Sequence, residues 1–213
     1  MTNRELAMFP LGMVVFPHQT VGLCVFEPRY HALLADVEHE RRFGTCLIER
    51  GNEVGGSDER TSVGTLVEIL GSHQLSNGQT LIVVEGIECF EVEAWLEDDP
   101  YPRARVGQRC CDDVAVEPAL LKSTESGVRA LRALQSEVVA DQCLQRDCAM
   151  DPDPGVRAWQ LCALTPMSIL DQFKVLSLSN PNDRLRLVAE ICCERYGDYQ
   201  RMLAVDELRA PSS

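Results

Sequence analysis

Leu66-Val67-Glu68-Ile69-Leu70, then Ser76-Asn77-Gly78, then Leu81-Ile82-Val83-Val84 make up the stretch that decides the fold class. Two runs rich in β-branched residues flank a turn, and Asn-Gly readily takes the positive φ angles of a tight hairpin connection. The spacing predicts an antiparallel hairpin with Leu66 to Leu70 opposite Leu81 to Val84. Outward from it, strand-like runs recur at Val21 to Phe26, Phe43 to Ile48, Val63 to Leu70, Thr80 to Val92 and Tyr101 to Val106, each bounded by Gly, Pro, Asn or Asp. They read as strands of a barrel or sandwich. One helix interrupts them, starting at Pro28, a residue suited to the first helical position, and carrying Tyr30, Leu33, Leu34 and Val37 at helical spacing. Arg41, Arg42 and Gly51 to Gly56 read as connecting loops.

At Glu117-Pro118 the period changes from two to that of a helix. Leu121, Thr124, Val128, Leu131, Leu134 and Val138 recur at three- and four-residue steps, the mark of a helix buried on one face. Asp151-Pro152-Asp153-Pro154-Gly155 breaks the chain, and a short helix with Trp159, Leu161 and Leu164 follows. Thr165-Pro166 reads as cap and first residue of the next helix, which holds Ile169, Leu170, Phe173 and Leu176. Asn180-Pro181 repeats that start. The last helix aligns Leu185, Val188, Cys192, Tyr196, Tyr199 and Leu203, and Leu208 to Ser213 is expected to fray. The expectation is an α+β chain, with a β domain over residues 1–117 and a helical bundle over 118–213.

Composition narrows the function. The 213 residues carry a net charge of −13, of which residues 1–117 hold −11, and this opposes any partner gripped mainly through phosphates. No apolar run approaches the roughly 18 residues of a membrane span, and the start Met1-Thr2-Asn3-Arg4-Glu5 does not resemble a signal peptide, so a cytoplasmic location is expected. In a reducing compartment Cys24, Cys46, Cys89, Cys162 and Cys192 suit buried thiols better than disulfides. The doublets Cys110-Cys111 and Cys192-Cys193 lack zinc-ligand spacing, so no metal and no cofactor is expected.

Local catalytic signatures are absent. There is no GxSxG, HExxH or GxGxxG, and neither Lys122 nor Lys174 follows a glycine as a phosphate loop requires. His18, His31, His39 and His73 all fall in the β half; His31 and His39 lie eight apart on the expected helix, about 80° apart round its axis, and form no ligand pair by themselves. Asp98-Asp99 and Asp112-Asp113 sit beside turns, where solvated charges are the ordinary outcome.

At Met8-Phe9-Pro10-Leu11-Gly12-Met13-Val14-Val15-Phe16-Pro17 and Phe26-Glu27-Pro28-Arg29-Tyr30 the chain resembles the N-terminal, substrate-recognition domain of the ATP-dependent Lon proteases. Phe43-Gly44, Val63-Gly64-Thr65, Asn77-Gly78, Gly86, Phe90 and Val92, Tyr101 and Ala104 agree in order, as do Pro166, Leu176, Pro181, Arg184 and Leu185. The resemblance implies a PUA-like β pseudo-barrel followed by a helical bundle, in a version without the ATPase and protease domains. Where that family usually has Arg-Gly and Arg-Phe, this chain has Glu85-Gly86-Ile87-Glu88-Cys89-Phe90, so contacts through those arginines do not carry over. Phe9, Val15, Phe16, Val25 and Phe26 are expected in the core, and Glu27 and Arg29 are expected to pair or to cap the helix start.

The resemblance points to a noncatalytic module that recognises unfolded or extended polypeptide, either along a sheet edge or at the seam between barrel and bundle. Met13, Phe16, Pro17, His18, Arg29, Tyr30 and Leu33 are the candidate peptide-binding residues, with the Met13 to Thr20 segment as the exposed part. An RNA-binding role and a small hydrolase are the alternatives. The former needs a local basic patch, and the latter a nucleophile within reach of a base. The purified chain is expected neither to hydrolyse ATP nor to cleave unfolded casein; turnover persisting through rigorous purification overturns this.

Overall fold

In a computed structural model that describes residues 4–50, 59–109, 114–138 and 149–209, six strands precede four of five helices. They are β1 (Arg4–Leu11), β2 (Thr20–Val25), α1 (Pro28–Asp36), β3 (Arg42–Arg50), β4 (Glu59–Gln74), β5 (Thr80–Trp95) and β6 (Arg103–Gln108), then α2 (Pro118–Val138), α3 (Pro154–Leu164), α4 (Ile169–Leu176) and α5 (Pro181–Arg209). The architecture is α+β, and the chain forms two compact units, Met1–Cys110 and Cys111–Ser213.

In the first unit the sheet order is β2-β5-β4-β3-β1-β6, and a further pairing of β5 with β6 closes it into a barrel. Every neighbouring pair is antiparallel except β1 with β3, which the intervening β2 and α1 make parallel. β1 is a strand that hairpin signals do not mark. Its apolar run is nearly continuous because both faces are covered: Leu6 and Met8 enter a cluster with Cys46, Leu66, Phe90, Ala104 and Val106, while Phe9 and Leu11 enter another with Tyr30, Leu33, Phe43 and Ile82. Pro10 is tolerated where β3 neighbours β1 and the pairing with β6, confined to Arg4 through Ala7, has ended.

The Asn77-Gly78 hairpin is present, with Gly78 at φ +85° and the Gln79 N–H donating to Asn77 Oδ1 at 3.1 Å. Its register differs from the expected one. Both strands are longer than their β-branched cores, and bulges between Leu66 and Val67 and between Ile69 and Gly71 shift the pairing, so Leu81 lies opposite His73 and Val84 opposite Ile69. Arg42 opens β3 rather than lying in a loop, Arg41 takes φ +54° and donates its guanidinium to the Ile69 carbonyl, and His39 falls beyond the end of α1. Gly51 to Gly56 and Asp112-Asp113 lie outside the described residues. Phe26 is 51 % exposed and Cys24 is also exposed, against the expectation of burial. The two-residue alternation explains both: Leu23 and Val25 turn inward, which leaves their neighbours outside.

Two glycines permit a close approach that any side chain would block. A Cβ on Gly64 would stand 2.3 Å from the Thr45 carbonyl oxygen and 2.6 Å from the Phe90 ring, and one on Gly86 would stand 2.1 Å from the Phe16 carbonyl oxygen. The barrel closes over Phe90, and the Phe16 backbone lies directly on β5.

In the second unit, Leu121, Thr124, Val128 and Leu131 of α2 are buried, as are Leu185, Val188 and Cys192 of α5. Thr165 does not start α4. It ends α3, its N–H returning to the Cys162 and Leu161 carbonyls, and Ser168 caps α4 by accepting from the Asp171 N–H. The Pro166 signal is displaced because extended backbone at Thr165 leaves a short link before helical geometry resumes. α5 begins at Pro181 with the Asn182 N–H donating to the Asn180 side chain, and it runs through Arg209 rather than fraying at Leu208; residues 210–213 are not described. Arg184 is buried over the Trp159 ring, 3.5 Å from its centroid, and donates to the Leu178 and Ser179 carbonyls. It ties α3 to the turn before α5.

Gly86→Ala is expected to cost about 2–4 kcal/mol in denaturant unfolding, because the Phe16 backbone cannot yield far. Gly22→Ala, where a Cβ meets nothing within 4 Å, is expected to cost little. Equal losses at the two positions contradict the close approach of the Phe16 backbone to Gly86.

Candidate functional site

The connection between β1 and β2 carries four of the seven candidate residues, Met13, Phe16, Pro17 and His18. Phe16 donates its N–H to the Gln19 side-chain oxygen at 2.9 Å, and Gln19 returns its N–H to the Phe16 carbonyl at 3.2 Å. Thr65, buried on β4, donates its hydroxyl to the Val15 carbonyl at 2.6 Å. His18 donates its N–H to the Gly86 carbonyl at 2.7 Å, and Gly86 donates to the Gln19 carbonyl at 3.0 Å. The connection is thus held along its length. Phe16 and Pro17 are buried beneath it, Met13 and His18 project outward, and His18 sits at φ +59°.

At the start of α1, Arg29 donates to the Glu27 carboxylate at 2.9 Å and lies 4.6 Å from the centre of the Tyr30 ring, which stacks on Phe9 with ring centres 4.0 Å apart. Glu27 occupies the cap position without a side-chain capping bond, so pairing with Arg29 is its local role. Tyr30 and Leu33 are fully within the core under α1. The far end of α1 is anchored by Tyr101, whose hydroxyl donates to Asp36 Oδ2 at 2.7 Å; burial, helped by that carboxylate, pushes its pKa up to about 12. Of the seven candidate residues, then, Met13 and His18 present exposed side chains, Arg29 is half-buried and paired, and Phe16, Pro17, Tyr30 and Leu33 are buried.

The surface that sequence reasoning did not locate adjoins them. β2 ends the sheet order and has β5 as its sole strand partner among the described residues. Because the Gln19 carbonyl faces β5, the antiparallel alternation turns the backbone groups of Val21, Leu23 and Val25 toward β5 and those of Thr20, Gly22 and Cys24 toward the open edge. No Lys, Pro or inward charge blunts Thr20-Val21-Gly22-Leu23-Cys24-Val25. Beside it the outer face is apolar. Cys24 lies opposite Leu81, and Gly22 opposite Val83, and both Leu81 and Val83 are exposed, as are Phe26, which follows β2, and Leu70 of β4. Only register information can reveal this patch.

Five arginines of the first unit are held in ion pairs. Arg4, Arg29, Arg42, Arg60 and Arg103 pair with Glu88, Glu27, Glu68, Asp98 and Glu5 respectively. The basic patch that nucleic-acid binding would need is therefore not assembled from these five. Among the described residues no cluster of His, Cys, Asp and Glu could hold a metal. Cys46, Cys89, Cys162 and Cys192 are buried thiols; burial pushes the Cys192 thiol up to about 11 despite a hydrogen bond with Thr165, which keeps it from acting as a thiolate at neutral pH. No described helix is long and apolar enough to cross a membrane.

Residues 5–194 match the family model described as the ATP-dependent protease La (LON) substrate-binding domain. The chain belongs to that family. This Lon substrate-binding domain is 25% identical over 199 residues to the Lon protease of Syntrophomonas wolfei, spanning 89% of the chain and 24% of that protein. It is 24% identical over 186 residues to Escherichia coli Lon protease, spanning 85% of the chain and again 24% of the relative. With a LON peptidase N-terminal domain and RING finger protein of Schizosaccharomyces pombe it shares 22% identity over 84% of the chain and 43% of that protein. The chain thus spans about a quarter of the Lon proteases and less than half of the yeast protein it matches. Among solved structures, a Lon N-terminal domain protein from Xanthomonas campestris superposes with a TM-score of 0.60 at 26% identity, covering 86% of the chain and 95% of its counterpart. The N-terminal domain of a Mycobacterium avium complex Lon protease gives 0.64 at 14% identity, covering 89% and 98%, and shares the fold.

The Tyr101 anchor has a pH signature. Its pKa is raised from 10.0 in the unfolded reference to about 12, so its contribution is complete below pH 10 and is lost as pH rises from there through 12. Wild type is expected to lose stability across that window more steeply than Tyr101→Phe, measured by denaturant unfolding at stepped pH. Parallel pH profiles overturn the assignment.

Proposed function

We propose that this Lon substrate-binding domain is a noncatalytic polypeptide-recognition module, which takes an extended segment as an additional strand on the open edge of β2. The observation that carries this reading is the unblunted edge of Thr20 to Val25, lying beside the exposed Leu81 and Val83. Main-chain hydrogen bonds from the added strand supply affinity that does not depend on sequence, as suits a partner with many sequences. The seven candidate residues support that edge. Met13 and His18 offer exposed side chains on the approach to β2, Arg29 fixes the start of α1 through Glu27, and Phe16, Pro17, Tyr30 and Leu33 hold the connection and α1 against the sheet. Family membership supports a protein ligand, since the family is described by substrate binding. Five ion-paired arginines on an acidic unit speak against RNA, and the raised Cys192 thiol pKa speaks against a thiol hydrolase.

Affinity in the micromolar range, about −8 kcal/mol, is expected, because ordering an extended chain offsets much of what a single edge contributes. The test is titration of unstructured apolar peptides against wild type and Cys24→Pro, the latter checked for fold by circular dichroism. Proline is tolerated on an edge strand where its missing N–H faces solvent, so the fold persists while the hydrogen-bonding row is interrupted. A loss of about tenfold, equivalent to roughly 1.4 kcal/mol and the scale of one or two main-chain hydrogen bonds, is expected. Unchanged affinity in the folded variant excludes the β2 edge, and absence of binding by wild type to every peptide overturns the recognition role.

A further inference from the structure

We infer that Gly22 and Glu85 set the sequence preference of the β2 edge, selecting an extended segment with a large aromatic residue at one position and a basic residue two positions away. This inference rests on the polypeptide-recognition reading above and specifies what that site prefers.

The geometry begins with the register. The three outward residues of β2 each back onto a different neighbour: Cys24 onto Leu81, Gly22 onto Val83 and Thr20 onto Glu85. Gly22 is the centre of the edge strand, and a Cβ built there meets nothing within 4 Å. It is no structural necessity, since neither a turn, a positive φ nor a close packing contact requires glycine at that position. What its missing side chain does is lower the wall between the open edge and Val83. Behind Val83 stands Gly71 of β4, again with nothing within 4 Å of a built Cβ, so Val83 is an exposed apolar residue flanked on both sides by bare backbone. Adjacent strands are about 5 Å apart, so a side chain of an added strand facing Gly22 has to cross one strand to touch Val83. A flat aromatic ring can lie across a glycine and do so, covering the backbone that glycine leaves exposed, whereas alanine is too short.

The charge pattern supplies the second requirement. Glu85 lies opposite Thr20 on one side and Glu68 on the other. The Glu68 carboxylate is engaged by Arg42 at 2.6 Å, while none of the ion pairs among the described residues engages Glu85. A residue of the added strand facing Thr20 stands two positions from the one facing Gly22 and on the same face, and the long stem of Lys or Arg can carry its charge over the short Thr20 side chain to Glu85. An acidic residue there would meet like charge. The occupant committed to is therefore an extended polypeptide of aromatic-x-basic or basic-x-aromatic pattern, according to strand direction.

Four blocked synthetic peptides on one polar, threonine-rich background test this: lysine-x-phenylalanine, phenylalanine-x-lysine, and the matched pair with alanine in place of phenylalanine. Each is titrated by fluorescence anisotropy against wild type, Gly22→Val and Glu85→Gln. Valine favours strand geometry and fills open space at position 22, so Gly22→Val is expected to melt no lower than wild type. Wild type is expected to bind one phenylalanine peptide about tenfold more tightly than its alanine partner, and Gly22→Val to reduce that ratio to about twofold or less. Glu85→Gln is expected to keep the aromatic preference while weakening binding of all four lysine-bearing peptides relative to the same peptides with glutamine in place of lysine; an equal loss for both sets, or none, overturns the role of Glu85. If wild type binds the peptides with no aromatic preference, or if Gly22→Val retains it, the notch is overturned and edge recognition stands. Failure of wild type to bind any of the four, though it binds unstructured apolar peptides, also overturns the inference; failure with both sets overturns the recognition reading itself. Concentration-dependent dimerisation that competes with peptide assigns the edge to a second copy of the chain and overturns the peptide occupant.

Discussion

Gly86 is where β5 changes partners, and the arrangement of the first unit follows from that change. One edge of β5 is given to β4 along most of its length. The other is taken by β2 from Thr80 to Glu85 and by β6 from Phe90 to Trp95. Between these spans the ladder is filled by His18 and Gln19, which exchange hydrogen bonds with Gly86 while the Phe16 carbonyl lies where any Cβ would be. A side chain at this position would lift the connection from the strand, and with it the entry to β2. The barrel closes through β6, so β2 is left as a wing whose far edge meets no strand among the described residues.

The same partner change separates two cores. Residues alternating along β1 feed the barrel interior around Phe90 on one face and the layer beneath α1 on the other. Gly64 lets the Phe90 ring approach the Thr45 backbone, and Thr65 beside it reaches across to hold Val15. Phe9 and Tyr30 stack in the second layer, with Arg29 over the tyrosine ring and Glu27 neutralising the guanidinium. Much of what identifies the family in sequence therefore serves packing. We place the proposed recognition surface on the exposed wing.

In the second unit a buried cation does the equivalent work. Arg184 places its guanidinium on the Trp159 face and satisfies carbonyls at the end of the α4 turn, while Asn182 donates to the Ala115 carbonyl and accepts from the Glu117 N–H. These contacts fix the entries to α2 and α5 through backbone groups that helix ends leave unpaired. Arg184 Nη2 and both polar atoms of the Asn182 amide are matched with backbone partners, which helps an apolar bundle tolerate them.

The hairpin at Asn77-Gly78, the helix starts at Pro28, Pro118 and Pro181, and the change of period at Pro118 were determined by sequence alone, because each depends on local backbone preference or on a short-range repeat. The motif residues were likewise visible, and the pairing of Glu27 with Arg29 follows from their adjacency. The register of β4 against β5 was decided by tertiary structure, since bulges after Leu66 and Ile69 answer to the curvature of a closed barrel and leave no local mark. The exposure of Phe26, Leu81 and Val83 was decided there too. A strand's alternation assigns residues to two faces, but which face is covered depends on elements distant in sequence. For the same reason the open edge of β2 could not be read from Thr20 to Val25: an edge is defined by the strand that is missing beside it.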